Sequence, residues 1–322
     1  MCIRDRNRLG LAQWLFHPDH PLTARVAVNR YWQMLFGRGL VETTHDFGSQ
    51  GALPTHPRLL DWLAVDFIEN GWDLRKLLKM MVMAATYRQS ADRSEHQLSI
   101  DPNNLLLSSG PTYRWPAEII RDNALAASDL LNPKVGGRSV KPYQPPDLWK
   151  DLNEFSGYLN TYQQDTGQEL YRRSLYTFIR RTSPPPAMTT FDAPNRALCV
   201  VKRERTNTPL QALVLMNDPQ LVEAARVIAI HMQQKGGYQL VDQLQYAFRR
   251  LTGRSATPAE LDILTNQYEE STKRFLSDPD AATKLLEVGD YPHDDAFDQT
   301  NTAALTVVAN AIMNFDETYM KR

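Results

Sequence analysis

Cysteine is scarce. The 322-residue chain has two, Cys2 and Cys199, so one bridge is the most it can form and a disulfide-stapled scaffold is excluded. It carries no C-x-x-C-H haem attachment site and no zinc-type cysteine pair. Net charge is also nearly absent: 36 Lys+Arg oppose 37 Asp+Glu, leaving −1. That excludes a globally basic nucleic-acid binder. No apolar run approaches the ~18–20 residues of a membrane span; Met80–Ala85 is among the longest. The opening Met-Cys-Ile-Arg-Asp-Arg has no apolar core of a signal peptide and does not join the amphipathic pattern that begins near Leu9. Residues 1–8 therefore read as a truncated or artefactual start of a longer protein. No G-x-S-x-G elbow, P-loop or dinucleotide fingerprint occurs, and Gly37-Arg38-Gly39 lacks the preceding strand and third glycine of a phosphate cradle. What the chain does have is 42% apolar residues, with 11 Phe, 13 Tyr and 6 Trp, enough for a substantial core and too many for disorder.

Helical periodicity dominates. Within Leu22–Phe36, Ala24, Ala27, Val28, Tyr31, Met34 and Leu35 recur at three- and four-residue spacing. Leu59–Asn70 and Asp73–Ala91 read as an antiparallel helix pair, because only Gly71 and Trp72 separate them. Ala117–Leu131 follows, with Pro116 at its first turn. Farther on, Thr208-Pro209-Leu210-Gln211 and Thr257-Pro258-Ala259-Glu260 both fit a capping box with Pro at the first helical position. Asp218-Pro219 and Asp278-Pro279 give the related Asp cap. Leu221, Ala225, Ile228 and Met232 form an apolar stripe that ends at Gly236-Gly237, and Leu240–Leu251, Ala259–Phe275 and Thr302–Phe315 complete the set. Leu198–Val201 is the best strand candidate. The fold class expected is all-α, with little or no strand: a helical half over residues 9–131 and a second half, with a basic segment, over 168–322.

The two halves are joined by residues 132–167, which are rich in Pro, Gly, Asn and Asp without a sustained period. Tyr143, Trp149, Phe155, Tyr158 and Tyr162 make the stretch too aromatic for a free linker. It reads as an ordered irregular excursion. Its flat rings beside amides suit stacking on sugars, and equally suit anchoring the excursion to the core.

The strongest anomaly is electrostatic. From Arg172 to Arg205 stand eight basic residues, namely Arg172, Arg173, Arg180, Arg181, Arg196, Lys202, Arg203 and Arg205, against Asp192 and Glu204. Pro184-Pro185-Pro186 inside the segment holds the backbone extended. The planar fork of arginine suits carboxylate, sulfate or phosphate. One reading is an anion or glycan groove built from Arg180, Arg181, Asp192, Arg196, Arg203, Arg205 and Asn207, with Tyr162 and Tyr171 from the aromatic stretch. The other is internal pairing, for which Asp278–Asp298 offers a matching acidic run. A metal site is not expected: His17-Pro-Asp-His20 and His45-Asp46 with His56 have short spacing, but no H-E-x-x-H helix or facial triad supports them. Asp147, Asp151, Glu154 and Asp165 could pair as acid and base, yet spacing names no dyad.

Several motifs occur together in a fixed order: Asn29-Arg30-Tyr31-Trp32, Phe36-Gly37-Arg38-Gly39-Leu40-Val41, Asp46-Phe47-Gly48 and Pro54-Thr55-His56-Pro57. Tyr171-Arg172-Arg173-Ser174-Leu175-Tyr176, Pro184-Pro185-Pro186, Phe191-Asp192-Ala193-Pro194, Arg205-Thr206-Asn207-Thr208-Pro209-Leu210-Gln211 and Asn217-Asp218-Pro219 follow. From about Leu9 to Arg322 the chain resembles the PSD-one domain, a C-terminal domain of unknown function in large planctomycete and related bacterial proteins. The resemblance implies a parent protein with upstream domains, an extracytoplasmic location at the periplasm or cell surface, and haem held only in an upstream cytochrome-c-like domain, with no cofactor in this chain. It implies no catalytic residue. The expected role is a binding or docking module whose partners are those upstream domains or a glycan, not nucleic acid or membrane. The alternative is a hydrolase or redox-linked enzyme acting on complex polysaccharide.

Overall fold

The computed structural model describes residues 7–150, 161–292 and 296–322. Phe155, Tyr158, Asp151, Glu154 and Cys2, named above, lie outside them. The chain divides into two compact units, Met1–Tyr113 with Lys321–Arg322, and Arg114–Met320.

The first unit holds α1 (Arg8–Leu15), α2 (Thr23–Phe36), α3 (Pro57–Glu69), α4 (Leu74–Met83), α5 (Ala85–Arg88) and α6 (Glu95–Ile100). Its core joins Val28, Trp32 and Phe36 of α2 to Leu60, Leu63 and Phe67 of α3 and Leu77 and Met81 of α4. The α3–α4 turn forms as the sequence implies. Gly71 and Trp72 both take left-handed backbone (φ 67° and 63°), the Trp72 N–H closes the helix on the Phe67 carbonyl at 2.9 Å, and its ring packs edge-on against Phe67. The single helix expected over Asp73–Ala91 is instead two, because Ala84 is extended (φ −65°, ψ 142°) between α4 and α5.

The second unit contains α7 (Ala117–Ala127), α8 (Pro186–Thr190), α9 (Pro209–Asn217), α10 (Pro219–Lys235), α11 (Leu240–Thr252), α12 (Pro258–Ser277), α13 (Pro279–Leu286), α14 (Gln299–Met313) and α15 (Asp316–Tyr319). β1 (Tyr113–Arg114) and β2 (Met320–Lys321) form the one two-stranded ladder among the described residues, so the fold is largely all-α. Leu198–Val201 is not a strand: it runs as exposed bends, because no neighbouring strand takes up its backbone groups. α7 stops at Ala127, short of Leu131, where Ser128 caps and Asp129 turns left-handed (φ 58°).

α10 is the axis of this unit. Periodicity predicts one apolar stripe, yet every residue from Gln220 to Ile230 is buried, because α7, α9, α11 and α14 all pack on it. The helix keeps polar Gln220, Glu223 and Arg226 only because each finds partners inside. Its Asp218 cap is made, with the side chain accepting from Gln220 N–H at 3.0 Å, and so is the Asp278 cap on α13. Of the two capping boxes, Thr257/Glu260 forms with both reciprocal bonds. The Thr208/Gln211 box does not: Thr208 makes no cap bond, and Gln211 is buried, its amide given to the carbonyls of Thr190 and Thr206 at 3.0 and 3.2 Å.

Candidate functional site

The basic segment divides into arginines that build the fold and arginines that face solvent. Arg172 is 1% exposed and spends its fork on the carbonyls of Arg138 (3.1 Å), Lys134 (3.2 Å) and Gly136 (2.5 Å), stacked 4.0 Å over Tyr176. It is the clasp that holds the start of the irregular excursion, joining three of its backbone carbonyls to one buried guanidinium. Arg114 does the same for the far end of the segment: it reaches the carbonyls of Phe191 (3.3 Å) and Thr206 (3.2 Å) and pairs with Asp192. Asp192, itself left-handed at φ 59°, also takes Thr206 N–H at 2.7 Å and its hydroxyl at 3.0 Å. Arg203 lays both terminal nitrogens on Glu118 of α7 at 2.7 and 3.1 Å. That contact and the helix's own first-turn N–H, acting against burial, hold the Glu118 carboxyl below its ordinary pKa. Arg172 and Arg203 thus pair with Glu169 and Glu118; among the described residues neither forms an ion pair with the Asp278–Asp298 run.

Between these pins the chain is open. Every residue from Asn195 to Leu210 is exposed. The stretch carries Arg196, Lys202, Arg205 and Asn207 together with aliphatic side chains that have no core to enter: Leu198 is 80% exposed and Leu210 56%. Leu213 and Met216 continue the apolar surface along α9. Asp192, Arg196, Arg203, Arg205 and Asn207 are thereby brought to one pinned segment, Arg196 lying near enough to lower the Glu118 carboxyl further. No ion pair involves Arg196 or Lys202 among the described residues.

The other candidates sit elsewhere. Arg180 places its guanidinium 5.2 Å over the Trp149 ring and gives Nε to Thr182 at 3.1 Å, while Arg181 is exposed on the adjoining turn. Tyr162 packs edge-on to Trp149 and donates its hydroxyl to the Pro142 carbonyl at 2.5 Å. Lys141 fills the space among Trp149, Tyr162 and Phe178, 5.5 to 5.9 Å from each ring centre. These aromatics anchor the excursion and already face cations of the same chain. Tyr171 is buried and donates to Glu223 at 2.9 Å.

Sequence reading missed the polar interior of α10. Glu223 is fully buried, and its Oε1 accepts three donors: Tyr143 (3.1 Å), Tyr171 (2.9 Å) and the Tyr291 N–H (2.7 Å). Arg226, one turn along, gives its fork to the Tyr291 carbonyl at 2.7 Å. The only signal was a Glu and an Arg three apart inside an apolar helix. Two of the histidines serve as turn acceptors: His20 Nδ1 takes the N–H of Thr23 at 3.2 Å, and His17 that of Asp19 at 3.2 Å. Asp165 is held by Arg138 at 2.6 Å and by Lys141 N–H at 2.8 Å. No group of three or more metal-ligating side chains gathers among the described residues.

Several of the motif residues prove to be architectural. Asn29 is buried and bonds Val41 through both its N–H (2.8 Å) and its carbonyl (2.9 Å), fixing the turn after α2; a Cβ on Gly39 would lie 2.7 Å from the Asn29 amide. In comparison with known proteins, the family model PSD1, described as a protein of unknown function (DUF1553), matches residues 7–268, in agreement with the resemblance the motifs carry. No curated protein and no solved structure matches.

Proposed function

We propose, from the premise that this chain belongs to the PSD1 family of proteins of unknown function (DUF1553), that it works as a docking module whose contact surface is the pinned segment Asn195–Leu210 with the outer face of α9. The observation that carries this reading is the exposure of Leu198, Val200, Val201 and Leu210 in the pinned segment and of Leu213 and Met216 on α9. Several large exposed aliphatics gathered in one region of the chain suit a contact surface. The segment is also held before any partner arrives, by Asp192–Thr206 and Arg203–Glu118, so little ordering is left for association to cost.

Its charge selects the partner. Arg196 and Lys202 flank the aliphatics along the chain, which favours an acidic protein segment with leucine-type side chains. Flat aromatic faces, the usual platform for sugars, are turned inward at Trp149 and Tyr171, which makes a protein partner the better fit than a glycan.

The test uses the full chain and a fluorescein-labelled peptide of alternating Glu and Leu, followed by anisotropy. Leu198→Ser and the pair Arg196→Glu with Lys202→Glu are each expected to weaken binding by about tenfold or more, roughly 1.4 kcal/mol, with unchanged circular dichroism. A sulfated polysaccharide that binds as tightly, insensitive to Leu198→Ser, would overturn the protein-docking reading and leave an anion site. A folded chain that binds neither probe would end both.

A further inference from the structure

A partly open cavity of about 60 Å³ lies in the second unit among α7, α8, α9 and α10. Three of the sequence motifs meet around it, through Pro185, Phe191 and Asp218. Most of its wall is apolar, with Ile120, Met188, Phe191 and Leu221 foremost. Four polar residues also line it: Arg121, Gln220, Tyr143 and Asp218.

Three of these are already engaged. Arg121 gives Nε to Gln220 (2.7 Å), one terminal nitrogen to the Arg172 carbonyl (2.9 Å) and the other to the Leu170 carbonyl (2.7 Å). Gln220 accepts from Arg121 and donates to Leu170 at 3.1 Å. The Tyr143 hydroxyl donates to Glu223 (3.1 Å) and accepts Asp290 N–H (2.6 Å). Asp218 differs. Its carboxyl accepts backbone N–H groups at the start of α10, from Gln220 at 3.0 Å and from Leu221; a carboxyl offers about four acceptor positions, so it retains capacity toward the cavity.

Size and charge narrow the ligand. The volume is well under the ~150 Å³ that admits benzene, so a ring stays outside and a group of about four heavy atoms enters. An ammonium would meet the Arg121 guanidinium, and an anion would meet Asp218. A neutral group with one methyl and one amide suits both walls. An ionised carboxyl accepts an amide N–H; a protonated one also donates to the amide carbonyl. Burial raises the Asp218 carboxyl above its ordinary pKa, which favours this second mode.

We propose that this cavity binds an acetamido group, its methyl against Met188 and Ile120 and its amide on the Asp218 carboxyl. The site is separate from the docking surface and does not depend on it. Acetamido groups occur on amino sugars and on acetylated peptides, and the chemistry at the cavity is the same for both.

The experiment is methyl NMR of the full chain, labelled at methionine and assigned with Met188→Leu. Probes are acetamide, N-acetylglucosamine, an N-acetylated dipeptide and glucose. Acetamide is expected to move the Met188 methyl saturably with Kd of about a millimolar, as a ligand of four heavy atoms allows, and glucose not at all. Whichever acetylated probe binds more tightly than acetamide identifies the source. Asp218→Ser keeps a capping oxygen on α10 and should weaken binding about tenfold. Val214→Phe fills the cavity and should abolish it. No Met188 shift with any acetylated probe, an equal shift with glucose, or unchanged affinity in whichever of the two variants melts like the parent would each refute the site.

Discussion

Glu223 shows how one residue ties this fold to pH. Its carboxyl is lifted above the usual carboxylate range by burial, while Tyr291 N–H and the two phenols pull it partly back. Tyr143 and Tyr171 are raised in turn, by burial and by the carboxylate beside them. The folded chain therefore holds the Glu223 proton more tightly than the unfolded chain, where a glutamate titrates near ~4.3. The stability this contributes is fully present below that value and is lost as pH rises through the raised one. Glu223→Gln keeps an acceptor for the three donors, so it should flatten the decline of the urea midpoint above about pH 4.3. Glu223→Leu should cost about 2–4 kcal/mol at low pH, since it leaves buried donors unpaired, and less as pH rises and the parent itself loses stability. Glu260 runs the opposite way: bonds from Arg254 hold it down to about 2. Its contribution is present above the ordinary glutamate value and fades as pH falls toward 2. Because the pair is partly exposed, salt should weaken it; Arg254→Gln should lower the urea midpoint near neutral pH, less so in high salt, and have little effect as pH approaches 2.

At the scale of the element, the two Thr-Pro-x-Glu/Gln signals separate local from tertiary control. Thr257→Ala removes a formed box at the start of α12 and should cost about 1 kcal/mol. Thr208→Ala, where no cap bond exists, should fall within about 0.5 kcal/mol of the parent. Denaturant midpoints of the two variants check both; equal losses would mean that Thr208 caps α9 in solution. The difference arises because Gln211 is drawn inward to satisfy the Thr190 carbonyl, which leaves the box without its second member.

For the whole molecule, the second unit carries a complete core, from Ala117 through Met313, centred on α10 and α14. A chain of residues 114–320 is expected to keep its helical circular dichroism and a cooperative melt, because that core closes within those residues. A non-cooperative melt would show that its stability needs the first unit.

Helix identity, the all-α class and the Asp218, Asp278 and Thr257 caps were legible from sequence, since periodicity and cap chemistry act over a few residues. The family was legible too, through motifs such as Asn29-Arg30-Tyr31-Trp32 whose order along the chain is read directly. The fate of the arginines was not. Arg172 buried on three carbonyls, Arg203 on Glu118 and Arg196 left outward differ only in what distant segments bring to them. A guanidinium's role is set by whether carbonyls and carboxylates from elsewhere in the chain arrive within hydrogen-bond reach. That depends on the folded arrangement of segments scores of residues apart, which no local pattern encodes.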